Sequence, residues 1–228
     1  MSLAPVAVSV IVPVLNEAAG VVATLQALAP LRQRGVEVLV MDGGSSDGTL
    51  ELARPHASVV LSAARGRARQ MNAGAAAASG AVLLFLHADT QLPANAERLV
   101  LDAIASGAVW GRFDVRISGT AWMLRVVAAL MNARSRWSGI ATGDQALFVR
   151  RDAFERLGGF ADQPLMEDIE LCKRLRQVAR PACLRAKVTT SGRRWESRGV
   201  WRTIFLMWRL RWRYWRGEAP EQLAQAYR

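Results

Sequence analysis

The sequence predicts one α/β domain with a mostly parallel sheet flanked by helices, followed by a basic helical extension. Three observations predict it. Apolar, β-branched runs alternate with helix-like segments through the first half of the chain, the pattern of a parallel sheet with crossover helices. Polar and acidic residues gather just after those runs, at Asn16-Glu17, Asp42 and His87-Ala88-Asp89, where open α/β sheets bind their ligands. Of the 228 residues 51% are hydrophobic, enough for a sizeable core.

In chain order, Val6–Pro13 reads as a buried strand. Asn16 is expected to cap a helix over Glu17–Leu28, with Pro30 just beyond its end. Val36–Met41 is a second buried strand ending at Asp42, and Gly43-Gly44-Ser45-Ser46-Asp47-Gly48 a loop before a short helix. Ser58–Leu61 is a short strand, Arg67–Ser79 an alanine-rich helix, Ala81–Leu86 a strand and Pro93–Ser106 a helix. The second half is less regular. It reads as a strand over Val109–Ser118, a helix over Thr120–Arg134, a strand over Gln145–Arg150, short and longer helices over Arg151–Leu157 and Met166–Val178, and a late strand over Cys183–Thr189. The extension divides the chain into residues 1–192 and 193–228.

Composition excludes a disordered chain and a disulfide-stapled miniprotein. Cys172 and Cys183 match no metal or redox spacing and read as thiols of a reducing compartment. No secretory leader is expected: Met1–Val8 lacks a basic segment, and Ser9 and Pro13 interrupt the next apolar run. No stretch approaches the ~20 apolar residues of a membrane span. A cytoplasmic protein is expected.

The formal charge is +11, from 30 basic and 19 acidic residues. Residues 193–228 carry nine of the basic and three of the acidic side chains, and five of the eight tryptophans. At ~100° per residue, Arg202, Arg209, Arg213 and Arg216 share one side of a helix over Gly199–Gly217. Val200, Ile204, Met207, Trp208, Tyr214 and Trp215 fall opposite, and Arg211 interrupts the apolar face. Such a helix suits the interface of an anionic membrane. Docking on the domain core, or on a second copy as a homodimer, fits the same pattern.

Several constellations can carry chemistry. Acids after the first two strands, Glu17 and Asp42, can accept hydrogen bonds from a nucleobase or ribose, and Gly43 lets backbone approach a ligand. The same loop also works as a simple turn. Asp89, after the fourth strand, can hold Mg2+ or Mn2+ against a diphosphate, because hard cations prefer oxygen ligands. Glu167-Asp168 opens a helix, whose dipole favours ionised carboxylates. Asp168 there can deprotonate a hydroxyl or merely stabilise the helix. Arg65, Arg67 and Arg69, with Gln70 and Asn72, can touch a diphosphate or form a solvated basic edge.

These motifs in this order resemble family 2 glycosyltransferases of the GT-A fold, particularly small bacterial members with His-Ala-Asp in place of Asp-X-Asp. The resemblance spans roughly Val6 to Arg194. It implies that Pro13, Asn16 and Glu17 begin the nucleotide pocket and that Asp42 reads the base, commonly uracil. It implies that Arg69 and Asn72 line the nucleotide site. Asp89 matches the metal-binding Asp, and His87 stands where the first Asp is common. Gly143-Asp144-Gln145 resembles the acceptor-side loop, and Asp168 matches the catalytic base of the Glu-Asp motif. The processive Gln-X-X-Arg-Trp motif is absent in full. Arg193-Arg194-Trp195 echoes it and can bring Arg194 near the leaving diphosphate. The implied reaction moves a sugar from a nucleotide-sugar, with UDP favoured, to an acceptor hydroxyl that can be lipid-linked. The implied mechanism is inverting, metal-dependent and non-processive. A nucleotidyltransferase and a basic nucleic-acid- or membrane-binding module are the competing readings. The first lacks its glycine-rich phosphate loop, and the second shows no nucleic-acid motif, so no nucleic-acid partner is expected.

Overall fold

The computed structural model describes residues 6–227. Residues 1–5 and Arg228, and with them most of the stretch read for a leader, lie outside the described residues. Among the described residues eight strands form one sheet: β1 (Val8–Val14), β2 (Glu37–Asp42), β3 (Val59–Ser62), β4 (Val82–Phe85), β5 (Thr90–Gln91), β6 (Trp110–Ile117), β7 (Leu147–Arg150) and β8 (Ala182–Thr190). Their order is β3-β2-β1-β4-β7-β6-β8-β5. Pairings within β3-β2-β1-β4 are parallel, as is β6 with β8. Those of β4 with β7, β6 with β7 and β5 with β8 are antiparallel.

This topology brings the functional segments to one edge. β1, β2 and β4 run the same way, so residues after Val14, Asp42 and Phe85 emerge together. β7 runs against β4, so the segment entering it, Gly143–Gln145, arrives at that edge too. β6 and β8 run with β4, which carries Ser191–Arg194 to the same place.

The helices are α1 (Val21–Ala27), α2 (Ala29–Gln33), α3 (Thr49–Ala53), α4 (Arg67–Ala77), α5 (Ala96–Ala105), α6 (Met123–Ser138), α7 (Arg151–Arg156), α8 (Glu167–Val178), α9 (Arg193–Arg198), α10 (Val200–Trp215) and α11 (Pro220–Tyr227). All of β1 is buried, because helices cover both faces of the sheet. Val10, Val12 and Val14 pack in one hydrophobic cluster, while Ile11 packs in another with Leu39, Met41 and Met71. The alanine-rich α4 lies close on the strands. A Cβ at Gly74 would come within 2.5 Å of the Ile11 side chain, so only glycine permits that approach.

The expected single helix over Glu17–Leu28 is corrected. Residues 17–20 form a turn, with the Gly20 and Val21 N–H groups donating to the Glu17 carbonyl, and α1 starts at Val21. Asn16 does not cap it: its φ is 55° and its side-chain oxygen accepts the Ser46 N–H. Pro30 does not end the segment. It sits in the first turn of α2, where a missing N–H costs nothing. Gly143–Gln145 is a 3-10 turn rather than the start of a strand. No described helix is long and apolar enough to cross a membrane.

Candidate active site

An open cleft of ≈ 260 Å³ lies at this sheet edge. Its walls combine five carboxylates, Glu17, Asp89, Asp144, Glu167 and Asp168, with three arginines, Arg67, Arg194 and Arg211. Each acid is placed by a chain end. Glu17 follows β1, and its N–H donates to Thr49 Oγ1 at 2.8 Å. Asp89 follows β4 and is exposed. Burial and then the nearby Asp89 charge push the Glu17 carboxyl above its ordinary range, against the pull of Arg193.

Asp168 sits in the first turn of α8. One carboxylate oxygen accepts the Gly143 N–H at 2.8 Å and the other accepts the Ile169 N–H at 2.7 Å. Burial, and then the neighbouring Glu167 charge, push its pKa up to about 6, against those two N–H groups. Glu167 is 3% exposed and faces Arg67 Nη1 at 3.6 Å. Burial opposes the Arg67 charge, but Glu167, Asp144, Asp168 and Asp89 outweigh it.

Asp144 lies 3.4 Å from His87 Nδ1. Enclosure would raise its pKa, yet the His87 hydrogen bond and the charges of His87, Arg67 and Arg194 hold it below the usual range. A Cβ at Gly143 would come within 2.1 Å of His87 Nε2, so the Gly143 backbone is pressed against the imidazole. Arg194 stacks its guanidinium 4.6 Å from the centre of the Tyr227 ring.

The cleft therefore gathers Pro13, Glu17, His87, Ala88, Asp89, Gly143, Asp144, Glu167, Asp168 and Arg194. Asn16, Asp42, Gly43, Arg69, Asn72 and Gln145 do not line it. Asp42 is 4% exposed, and its carboxylate accepts the N–H groups of Gly44 and Ser45 and the Ser45 hydroxyl. Asn16 and Asp47 tie the β1 and β2 loops together, Asp47 by accepting the Ala18 N–H. Gly43 packs against Gln70, whose amide donates to the carbonyls of Val14 and Met41. Arg69 forms a bidentate pair with Asp162. Asn72 exchanges two hydrogen bonds with the Phe160 backbone. Gln145 is fully buried and donates to Ser135 and Asn132 of α6, which fixes the turn that carries Gly143 and Asp144.

Sequence reasoning missed Arg67 as the arginine of its cluster that enters the cleft. It also missed the contribution of α10, which adds Thr203, Met207 and Arg211 to the wall. The interruption of the α10 apolar face by Arg211 was the available signal. Positive φ at a non-glycine residue cannot be read from composition. Among the described residues it occurs at Asn16, Ala146 and Met166, each beside a cleft residue or the turn that carries one. Backbone strain of this kind concentrates at functional sites.

Among the described residues, no three His, Cys, Asp or Glu side chains form a metal-ligand cluster. The exposed Asp89, with Glu17 nearby, fits instead a hard divalent cation that takes one or two carboxylates and completes its shell with water and ligand phosphates.

Fold and cleft together define an open-sheet α/β protein whose ligand site lies at the strand carboxyl ends. Residues 9–159 match the family described as Glycosyl transferase family 2, and the chain belongs to that family. It is 29% identical over 193 residues to the probable glycosyltransferase YdaM of Bacillus subtilis, covering 74% of this chain and 46% of that protein. It is 29% identical over 187 residues to the succinoglycan biosynthesis protein ExoA of Rhizobium meliloti, covering 73% of this chain and 57% of that one. The chain thus spans about half the length of these relatives. Among solved structures, the mannosyltransferase PcManGT of Pyrobaculum calidifontis, in complex with GDP-Man and Mn2+, superposes with a TM-score of 0.66 at 22% identity. That match covers 99% of this chain and 70% of that one. S. aureus TarS 1-349 in complex with UDP-GlcNAc gives 0.66 at 18% identity, covering 81% and 58%. These likenesses establish the GT-A fold.

Proposed function

We propose that the chain transfers a sugar from a nucleotide-diphosphate donor, a UDP-sugar by preference, to an acceptor hydroxyl by a single inverting, non-processive displacement. The observation that carries this reading is Asp168, held by the Gly143 N–H at 2.8 Å in the cleft that Pro13, Glu17, His87 and Asp89 also line. Family membership, a relative named as a probable glycosyltransferase and a fold neighbour named as a mannosyltransferase support it.

Asp168 is ionised at neutral pH and basic enough to take the acceptor hydroxyl proton. Its two N–H contacts aim the carboxylate. Arg194 and Arg67 are cations at the cleft suited to the diphosphate, and Glu167 orients Arg67. Asp89, with Glu17 beside it, would hold Mn2+ or Mg2+, whose chemistry is Lewis-acid neutralisation of the leaving diphosphate. Asp42, at the end of β2 with its carboxylate aimed by the Gly44 and Ser45 N–H groups, would read the base. The free thiols Cys172 and Cys183 support a cytoplasmic setting.

The test is hydrolysis and transfer assayed over a panel of UDP- and GDP-sugars with Mn2+, with chelator, and with Asp89→Ala. Metal-dependent release of the nucleoside diphosphate, lost on chelation and in the variant, is expected. Equal rates in chelator would remove the metal role, and no turnover of any donor would overturn the activity.

A further inference from the structure

Two helices of this chain leave aromatic stripes in solvent. On α10, Trp201, Phe205, Trp208, Trp212 and Trp215 recur at helical spacing, each between 58% and 75% exposed. They lie roughly 120° around the helix from Thr203, Met207 and Arg211 on its cleft side, at ~100° per residue. On α6 and the residue before it, Trp122, Val126, Leu130 and Trp137 form a second stripe, with Trp137 91% exposed. Both helices pack on shared cores: Val200 and Ile204 lie against the cluster that includes Leu124, Val127 and Ala128, and Ile140, just past α6, lies in the cluster of Leu210 with Leu206 and Met207. Exposed apolar surface on this scale marks an interaction site.

Charge selects the occupant. Arg125 of α6 and Arg202, Arg209 and Arg216 of α10 are exposed, and residues 119–142 and 199–217 contain no aspartate or glutamate. A second copy of the same face would set arginines against arginines, which is unfavourable. A face of tryptophan and arginine matches the headgroup layer of an anionic bilayer, where indole sits at interfacial depth and guanidinium meets phosphate. We propose that α6 and α10 together form a lipid-facing surface that seats the protein on an anionic membrane, with α10 separating that surface from the catalytic cleft.

The test is flotation of the full chain with vesicles of phosphatidylcholine alone and of phosphatidylcholine mixed with phosphatidylglycerol, alongside tryptophan fluorescence. Three results are expected. The wild type floats with the anionic vesicles only, its emission shifts to the blue, and added salt releases it. Trp208→Ser/Trp212→Ser on α10 and Trp122→Ser/Trp137→Ser on α6 each weaken binding about tenfold or more. Both variants keep the wild-type melting temperature and its rise with UDP and Mn2+, so loss of lipid binding reads separately from loss of donor binding. Failure of the wild type to float overturns the proposal. So does wild-type binding by the α6 variant, or a stable dimer in sedimentation whose formation removes the blue shift.

Discussion

Asp168 combines two demands that conflict. As the base of the proposed reaction it must be ionised when the acceptor arrives, yet burial and the Glu167 charge penalise that ionised form and push its pKa up to about 6. An acid whose folded pKa lies above its unfolded value binds its proton more tightly in the native state. The native state is therefore favoured below the unfolded value near 3.8, and that advantage is lost as pH rises through about 6. Transfer should accordingly rise with pH and level off above an inflection near 6, unless a later step limits turnover. Asp168→Asn should lower kcat by roughly 10³-fold while sparing donor affinity. It should also raise stability at pH 7.5 by on the order of 1–3 kcal/mol, a gain that vanishes near pH 4. Melting curves of both proteins at the two pH values check this, and a variant less stable at pH 7.5 counts against the strained-base account. At this scale the sequence was partly readable. Glu17, Asp89 and Asp168 lie on the cleft because a strand end or a helix start puts them there. Asp42 occupies an equivalent strand end, but its carboxylate is taken up by the N–H groups of its own loop, and hydrogen bonds that local depend on dihedral angles that residue types leave open.

Elements were more legible than their ends. Long apolar strands announce themselves, whereas β5 has two residues and exists through pairing of Thr90 with Thr190, a partner one hundred positions away. A proline that seemed to stop a helix starts the next one. The polar network behind the Gly143–Gln145 turn was not legible either, because its members are scattered. Arg112 of β6 is fully buried and pairs with Asp114, which also pairs with Arg136 of α6. Asn132 exchanges hydrogen bonds with the Val115 backbone and accepts from Gln145. Removing one partner of a buried ion pair strands the other. Asp114→Ala should therefore destabilise the fold by about 3–5 kcal/mol, measured by denaturant unfolding. A cost below ~1 kcal/mol would mean that water reaches Arg112. On α10, Arg211 faces the cleft while the rest of that helix side packs on Met166 and Ile169. Arg211→Ala should lower kcat/KM at least tenfold, about 1.4 kcal/mol, without moving the melting temperature. Unchanged kinetics would leave Arg211 no role at the site.

The molecule as a whole joins two unlike halves along one sheet. The parallel strands β3-β2-β1-β4 deliver Pro13, Glu17, His87 and Asp89, and the segments around β7, β8, α8 and α10 deliver Gly143, Asp144, Asp168, Arg194 and Arg211. A ligand spanning the cleft touches both halves and binds only when they are folded against each other, so its binding free energy adds to global stability. At a hundredfold excess over Kd that addition is about 2.7 kcal/mol. For a chain of 228 residues it corresponds to a rise in Tm of about 5–10 °C. UDP with Mn2+ should produce such a rise, with the uridine diphosphate ahead of the guanosine one at equal concentration. Asp89→Ala should retain the smaller shift given by UDP alone and lose the increment added by Mn2+, because the cleft arginines proposed to meet the diphosphate, Arg67 and Arg194, remain in place. The opposite pattern, an increment from Mn2+ that survives in Asp89→Ala, would move the cation to another carboxylate of the cleft. No shift with any nucleoside diphosphate would break the link between this cleft and nucleotide binding altogether.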